Sequence, residues 1–523
     1  MSAAYKEDPA VVTDPFSTSR ALFEGLVRQA GSAGCLSAGH AEVEETLWES
    51  GRAVLRQLFQ DHLDLRHSRE PRVAVVNEEG TRLTERRVAR RTLRSLLGDL
   101  TVTRWLYQGE GAEGRAPADA GLRLCEDSYS MGVRREVARL SAHDAFAPSS
   151  VTLERLTGVH VAQRQVEELA RRSAADVCEF YLRKPALAVP EDALLVLSFD
   201  AGGIVMRTEA LRPHTRKLAE SEPFEPPFPP KLQSGKKPNR KRMAQVGAVY
   251  AIEPHVRTAG DILGELQSLT TEAEDEGDAP CSRRPRPINK RVFASVARPC
   301  STVIDEGFRD ALARDPKRER RWVVLVDGNS DQIAAVRRAA KRVGVKVQIV
   351  VDLIHLIEYL WPAAYCFHKP GSDEARAWVV ERVRALLDGA DPSQVAAGMR
   401  RSATLLGRAG KIQRRDAVDK CAKYMLGLAE HMRYGEALRA GLPIATGVIE
   451  GACRHLIRRR LGIGGARWSV EGAEAILLLR AAVMSGDFDD YWKFHAAQVY
   501  ARTHGEKYRG RVPNTRPALK VVK

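Results

Sequence analysis

Between residues 41 and 66 the apolar positions Val43, Leu47, Val54, Leu55, Leu58, Phe59 and Leu63 recur at helical spacing, which predicts a long amphipathic helix. A basic stretch from Arg86 to Arg94 follows, and then a short strand-like run from Leu100 to Tyr107. From about 131 to 186 the pattern is helical again. Its centre, SSVTLERLTGVHVAQRQVEELARR, has an N-cap candidate at Ser149, a glycine at 158 and a second helix carrying Val166 and Leu169. Helix, short turn and helix is the helix-turn-helix arrangement, and equally that of any helical hairpin.

From residue 190 the texture changes. Leu194 to Phe199 is a continuous apolar run ending in Asp200, the pattern of a central buried strand. Ala201-Gly202-Gly203 then reads as a turn and Ile204 to Arg207 as a returning strand. A proline-rich loop (Pro223 to Pro230) and a basic run, KLQSGKKPNRKR (231–242), precede a third strand at Val246 to Ile252. A loop of low order is expected over roughly 270–290. The clearest unit begins at Trp322: a VVLV strand, a loop at Asp327, a helix from Asp331 to Val343 ended by Gly344, and a strand from Val347 to Val351. Strand, helix and strand within about thirty residues form a right-handed parallel crossover. Three strands followed by this crossover predict an α/β fold with a mixed five-stranded sheet on the ribonuclease-H-like plan. Residues 370–440 are helical throughout in pattern and read as an insertion, after which Thr446-Gly-Val-Ile-Glu450 opens a strongly basic helix.

Charge narrows the choice of partner. Lysine and arginine outnumber the acids by 82 − 67 = +15 and the pI is about 9.5, which favours a polyanion. The chain has no apolar run of 18 residues and no apolar signal core at its start, so nucleic acid is expected rather than membrane, in a cytoplasmic, nucleoid-associated protein. The eight cysteines (35, 125, 178, 281, 300, 366, 421 and 453) form no C-x-x-C pair and read as small hydrophobes or thiols, not as a zinc site.

Asp200 and Asp327 are each expected directly at the C-terminal end of a buried strand, where open α/β sheets bind ligands. A carboxylate there needs a compensating charge, and a hard divalent cation supplies it. Glu450 is the candidate third ligand. Three carboxylates holding two ions about 4 Å apart can activate an attacking water or 3′-hydroxyl and stabilise a departing phosphodiester oxygen. The plainer reading is that Asp followed by Gly after a strand is ordinary turn chemistry, and that an acid such as Glu450 in a first helical turn favours the helix dipole. Arg454, Arg458 and Arg459, beside the apolar stripe Ile449, Cys453, Leu456, Ile457 and Leu461, are candidate phosphate contacts or a solvated salt-bridged face. Lys236, Lys237, Arg240, Lys241 and Arg242 of the basic run are further candidates for DNA contact. Asp352 and His355 lie three apart at the start of a helix, so His355 either serves the acids or a phosphate, or is a hydrogen-bonded structural histidine.

With these residues in hand, the sequence resembles the bacterial insertion-sequence transposases of the ISKra type, relatives of the Mutator-like group. The matching segments are LSFDAGGIVMR (197–207), KRMAQVGAVYAIEPHVRT (241–258), VVLVDGNSD (323–331), VVDLIHLIEYLW (350–361), GVIEGACRHLIRRRLGIGGARWS (447–469) and AILLLRA (475–481). The resemblance implies a ribonuclease-H-like catalytic domain with an all-helical insertion, a metal-binding triad of Asp200, Asp327 and Glu450, and two Mg2+ (or Mn2+) ions. It matches Asp352-Leu-Ile-His355 to the family's Asp/Cys-x-x-His signature, which makes His355 a supporting catalytic residue, and marks Trp468 as a landmark packing the helix after Glu450. Tyr107 is followed by QGEG where some relatives carry a cysteine pair.

The expected layout is an N-terminal helical region (1–90), a helical DNA-binding region (91–186), the first part of the catalytic domain (187–369), the insertion (370–440), the second part of the catalytic domain (441–500) and a basic tail (501–523). The expected activity is binding of terminal inverted repeats in double-stranded DNA, cleavage, and transfer to target DNA, by a homodimer or larger assembly. The alternative is a catalytically silent, transposase-derived DNA-binding protein. A haloacid-dehalogenase-type phosphatase is set aside, because that chemistry wants an aspartate where Gly202 stands.

Overall fold

The computed structural model describes residues 14–76, 81–221, 240–268, 285–409, 415–445 and 447–505. The chain divides into two compact units, one of Met1–Phe180 with Asp489–Lys523 and the other of Tyr181–Phe488. Among the described residues no helix is long and apolar enough to cross a membrane.

The first unit contains the predicted long helix, His40–Ser68. It is not helical throughout, however. Strands β1 (Val75–Val76) and β2 (Arg82–Leu83) pair antiparallel, and β3 (Glu85–Ser95), β4 (Gly98–Gly109) and β5 (Ala112–Arg115) form a three-stranded antiparallel sheet. The basic stretch therefore lies in an extended hairpin. Its alternate residue Leu93 joins Leu100, Val102, Leu63 and Leu124 in a core, which fixes the register. Helices Met131–His143, Phe146–Thr157 and Gln163–Ser173 pack around Val133, Val137, Leu153, Val159, Val161, Val166 and Leu169. The second helix starts at Phe146, ahead of the predicted cap; Ser149 is buried inside it and donates to the Ala145 carbonyl. Gly158, with φ +70°, ends it, as the helical-hairpin pattern required.

The second unit is α/β with a mixed sheet of five strands: β6 (Leu194–Val205), β7 (Lys241–Ile252), β8 (Ile288–Ser295), β9 (Trp322–Val326) and β10 (Val347–Val351). The order is β10-β9-β6-β7-β8, with β6, β9 and β10 parallel and β7 and β8 antiparallel to their neighbours. The strand count is as expected but two strands are not. Ala201-Gly202-Gly203 is no turn: β6 runs straight through it, paired with β7 from Leu194–Ile252 to Val205–Lys241. The fifth strand is β8, where part of a loop was expected.

Alternation assigns the two faces of β6. On one face Phe199, Gly247 and Phe293 lie in one cross-strand row. Helix Cys300–Arg314 approaches this row through Gly307, where an added Cβ would come within 2.8 Å of the Phe199 ring. The opposite face carries Asp200 and Gly202, and a Cβ on Gly202 would meet Ile457 at 2.5 Å. Close seating of the Ile457 helix is the reason for the glycine.

The predicted crossover helix is Ser330–Val343, capped by Asn329 and ended by Gly344 at φ +71°. Helices Asp373–Asp388, Pro392–Arg408, Asp416–Leu428 and Tyr434–Arg439 occupy the predicted insertion. Helix Phe488–Tyr500 departs from the expected layout, because its residues from Asp489 onward group with the first unit. There Tyr491 donates to the Ser173 carbonyl and His495 bonds Asp176 at 2.7 Å.

Candidate active site

Asp200 is a mid-strand residue, opposite Val246 of β7, and not the last residue of its strand. Its other neighbour, β9, is paired with β6 only from Leu195–Trp322 to Ser198–Leu325. Beyond Ser198 the sheet opens on that side, which is the kind of crevice where α/β sheets bind ligands. The offset of this pairing is 322 − 195 = 127, and the separation of the two aspartates is also 327 − 200 = 127. Asp200, within β6, and Asp327, in the loop directly after β9, thus each lie two residues past the last paired rung of these neighbouring strands. Both are half-buried.

Each aspartate is held by its surroundings. Asp327 Oδ1 accepts the Asn329 N–H at 3.0 Å, an Asx turn that feeds the crossover helix. Its carbonyl accepts the Tyr424 hydroxyl at 2.7 Å, from helix Asp416–Leu428 of the insertion. Gly328 has φ +94°, and a Cβ there would come within 2.6 Å of Leu428 and 2.7 Å of the Tyr424 oxygen. Burial, then the Asp327 charge, hold the Tyr424 hydroxyl well above its ordinary pKa, so it remains a donor. Asp200 Oδ2 accepts the Cys453 thiol at 3.0 Å. Burial first, and the Asp200 charge second, push that thiol well up, so it too stays protonated.

Cys453 ends the helix Gly447–Cys453, which continues through a π-turn, Arg454–Arg458, into Arg459–Leu461. The predicted stripe Ile449, Cys453, Leu456, Ile457 and Leu461 is buried. A π-turn disturbs the carbonyl ladder, and such turns are frequent at functional sites. Here buried Arg480 donates to the carbonyls of His455 and, at 3.1 Å, of Leu456. Burial, and the nearby Arg460 and Arg459, bring the Arg480 pKa down to about 10, so it is still charged at neutral pH. Trp468 donates to the Leu461 carbonyl at 3.1 Å and bridges to Met206 beyond β6, tying the helix end to the sheet as expected.

Glu450 lies three residues before Cys453 on this helix, hence on a neighbouring face position. It is exposed, and its carboxylate is 3.4 Å from Arg454. Among the described residues no group of three or more His, Cys, Asp or Glu side chains is arranged to hold a metal ion. As a fit for a hard cation, the two aspartates supply carboxylate oxygens where β9 parts from the central strand β6, while Glu450 stays with its arginine.

No protein-family model matches the chain, and no curated protein matches it.

The remaining candidates fall in different places. His355 pairs with Glu358 at 3.3 Å and packs against Tyr359 and Tyr424, whose rings stack 4.2 Å apart and 8° from parallel. Its links run to the insertion, and no bond to the three acids is present among the described residues. Asp352 caps its helix through the Ile354 N–H, and its own N–H donates to the Val326 carbonyl just before Asp327. Arg458 and Arg459 are exposed. Arg242, in β7, directs its guanidinium to the carbonyls of Val296 and Ala210, while Lys241 is exposed. Burial and nearby Arg467 lower the Arg240 pKa. Lys236 and Lys237 lie outside the described residues. Cys453 and Tyr424, the donors to the two aspartates, were not marked as site residues in the sequence; no short-range pattern announces either.

Proposed function

We propose that the chain is a DNA transposase of an insertion sequence, which binds transposon ends, cuts the phosphodiester backbone and joins it to target DNA. The observation that carries this reading is the position of Asp200 and Asp327, each two residues past the point where β9 parts from β6, with the Glu450 helix bonded to Asp200 through Cys453. The strand order β10-β9-β6-β7-β8, with β7 alone running against the other four, supports a ribonuclease-H-like plan for the second unit. The net charge of +15 supports a polyanionic substrate.

In this reading Asp200 and Asp327 would hold Mg2+ or Mn2+, with Glu450 as the third acid on leaving Arg454. Ions bound there supply Lewis-acid activation of an attacking oxygen and stabilise the departing one. The chain's own residues do the positioning. Cys453 directs Asp200, Tyr424 and Gly328 fix the loop of Asp327, and Arg454, Arg458 and Arg459 orient phosphates without reading sequence. His355 braces the insertion against this loop. Transposition pairs two DNA ends, so a homodimer or larger assembly belongs to the proposal.

A second reading, a silent DNA-binding descendant, is favoured by one observation: Glu450 is paired with Arg454, and among the described residues no three acids are arranged to hold a metal ion. Purified protein incubated with end-labelled element DNA and Mg2+ separates the two. The transposase reading predicts metal-dependent nicking that Asp327→Ala abolishes. Binding with no nicking at all supports its rival, and metal-independent nicking counts against both.

A further inference from the structure

The two faces of the β3–β4 hairpin treat their arginines differently. On the inner face, beside the Leu93–Leu100–Val102 core, the charges of Arg91 and Arg104 are neutralised. Arg104 lies 2.6 Å and Arg91 3.7 Å from the Asp119 carboxylate, and Arg91 also donates to the carbonyls of Cys125 and Asp127.

Outside, Arg86, Val88, Arg90 and Thr92 follow one another along β3 at alternate positions, and all four are exposed. The Arg86 guanidinium rests 4.2 Å above the Trp105 ring, while Arg87, on the other face of the strand, is exposed and donates to the Gln108 amide oxygen at 2.9 Å. Both anchors are neutral, so they extend the side chains without cancelling their charge. Among the described residues Arg86, Arg87 and Arg90 form no ion pair. No acid occurs between Glu85 and Asp99, or from Leu100 to Tyr107. A strip of uncompensated arginines on a two-stranded ribbon is complementary to a phosphate backbone, and such a ribbon fits the major groove of B-DNA, about 12 Å wide.

We infer that the exposed end of β3, with Arg86 and Arg90 on its outer face and Arg87 on the other as its contacts, is a docking surface for the phosphates of duplex DNA. The choice of DNA as the polyanion rests on the function proposed above; the surface itself rests on the hairpin.

The test uses the full chain, without divalent ions, binding a fluorescent duplex of about 30 base pairs in a salt series from roughly 50 to 200 mM. Replacing the three residues together, R86Q/R87Q/R90Q, should lower the slope of log affinity against log salt by about 2.7, because each phosphate contact contributes about 0.9. It should also weaken binding at least tenfold at the lowest salt. The lysine variant R86K/R87K/R90K keeps the charge and should retain most of the slope, which separates lost contacts from lost folding. R309Q/K317Q/K346Q removes equal charge from exposed positions in the other unit and should stay near the wild-type slope. An unchanged slope in the glutamine variant overturns the inference, as does an equal loss in the control. Self-association of the glutamine variant with intact DNA binding also overturns it, showing that the arginines only guard an edge strand. Hairpin-dependent binding confined to single-stranded RNA overturns the duplex assignment. The assay contains no cleavage step, so a chain that binds through the hairpin but never nicks DNA counts against the proposed function alone.

Discussion

Cys453 donates its thiol to Asp200 Oδ2 across 3.0 Å, joining residues 253 positions apart in the chain. Through that bond the helix carrying Glu450 is fixed to the middle of β6. Cys453→Ala removes the donor and leaves a half-buried carboxylate oxygen short of a partner, at a cost of about 1–3 kcal/mol. Cys453→Ser retains a hydroxyl donor and should lose less. Urea unfolding of the two variants checks the order; equal losses would mean that packing, not the hydrogen bond, is what the thiol supplies.

Gly328 predicts a sharper effect. Its φ of +94° disfavours any L side chain, and the space a Cβ needs is filled by Leu428 and Tyr424. Gly328→Ala should cost roughly 2–4 kcal/mol from backbone strain and overpacking together. Tyr424→Phe, which only removes the bond to the Asp327 carbonyl, should cost about 1 kcal/mol. Thermal unfolding of both variants measures the difference, and a Gly328→Ala protein as stable as wild type would show that the insertion does not press on this loop.

In the first unit Asp176 sets an acid limit. Burial alone would raise its pKa, but hydrogen bonds from His495 and Arg502 outweigh that and bring it from 3.8 to about 2. A carboxylate with a depressed folded-state pKa adds stability that is complete above its unfolded value and is lost as pH falls through its folded value. The contribution, about 2 kcal/mol, should therefore be present at pH 5 and fade between about pH 4 and pH 2. Asp176→Asn should flatten that part of the stability–pH curve, and an unchanged acid limb would remove Asp176 from the account.

Much of this architecture is legible from periodicity. The β9–helix–β10 crossover, the buried stripe from Ile449 to Leu461 and the helices of the insertion follow local patterns that the structure repeats. The misreadings share a cause, since each depends on a partner far away in sequence. Gly202 looks like a turn residue, yet it is small because Ile457 sits over it. Strand β8 is masked by Lys290 and Arg291, and the latter is buried only because Glu306 and Asp310 of the following helix neutralise it. The arginines of β3 hide a strand whose register is set by helix His40–Ser68. At the candidate site the apolar runs before the two aspartates are what single them out in the sequence. Their donors could not: Tyr424 reaches Asp327 across 97 residues, with nothing local to mark it.

The central claim is that Asp200 and Asp327 share a divalent cation. Manganese titration of the wild-type protein, followed by electron paramagnetic resonance, tests it without requiring any DNA substrate. The account predicts a saturable site that disappears in Asp200→Asn and in Asp327→Asn, while Asp331→Asn, in the exposed first turn of the crossover helix, keeps it. Wild-type manganese binding in both single variants would contradict it.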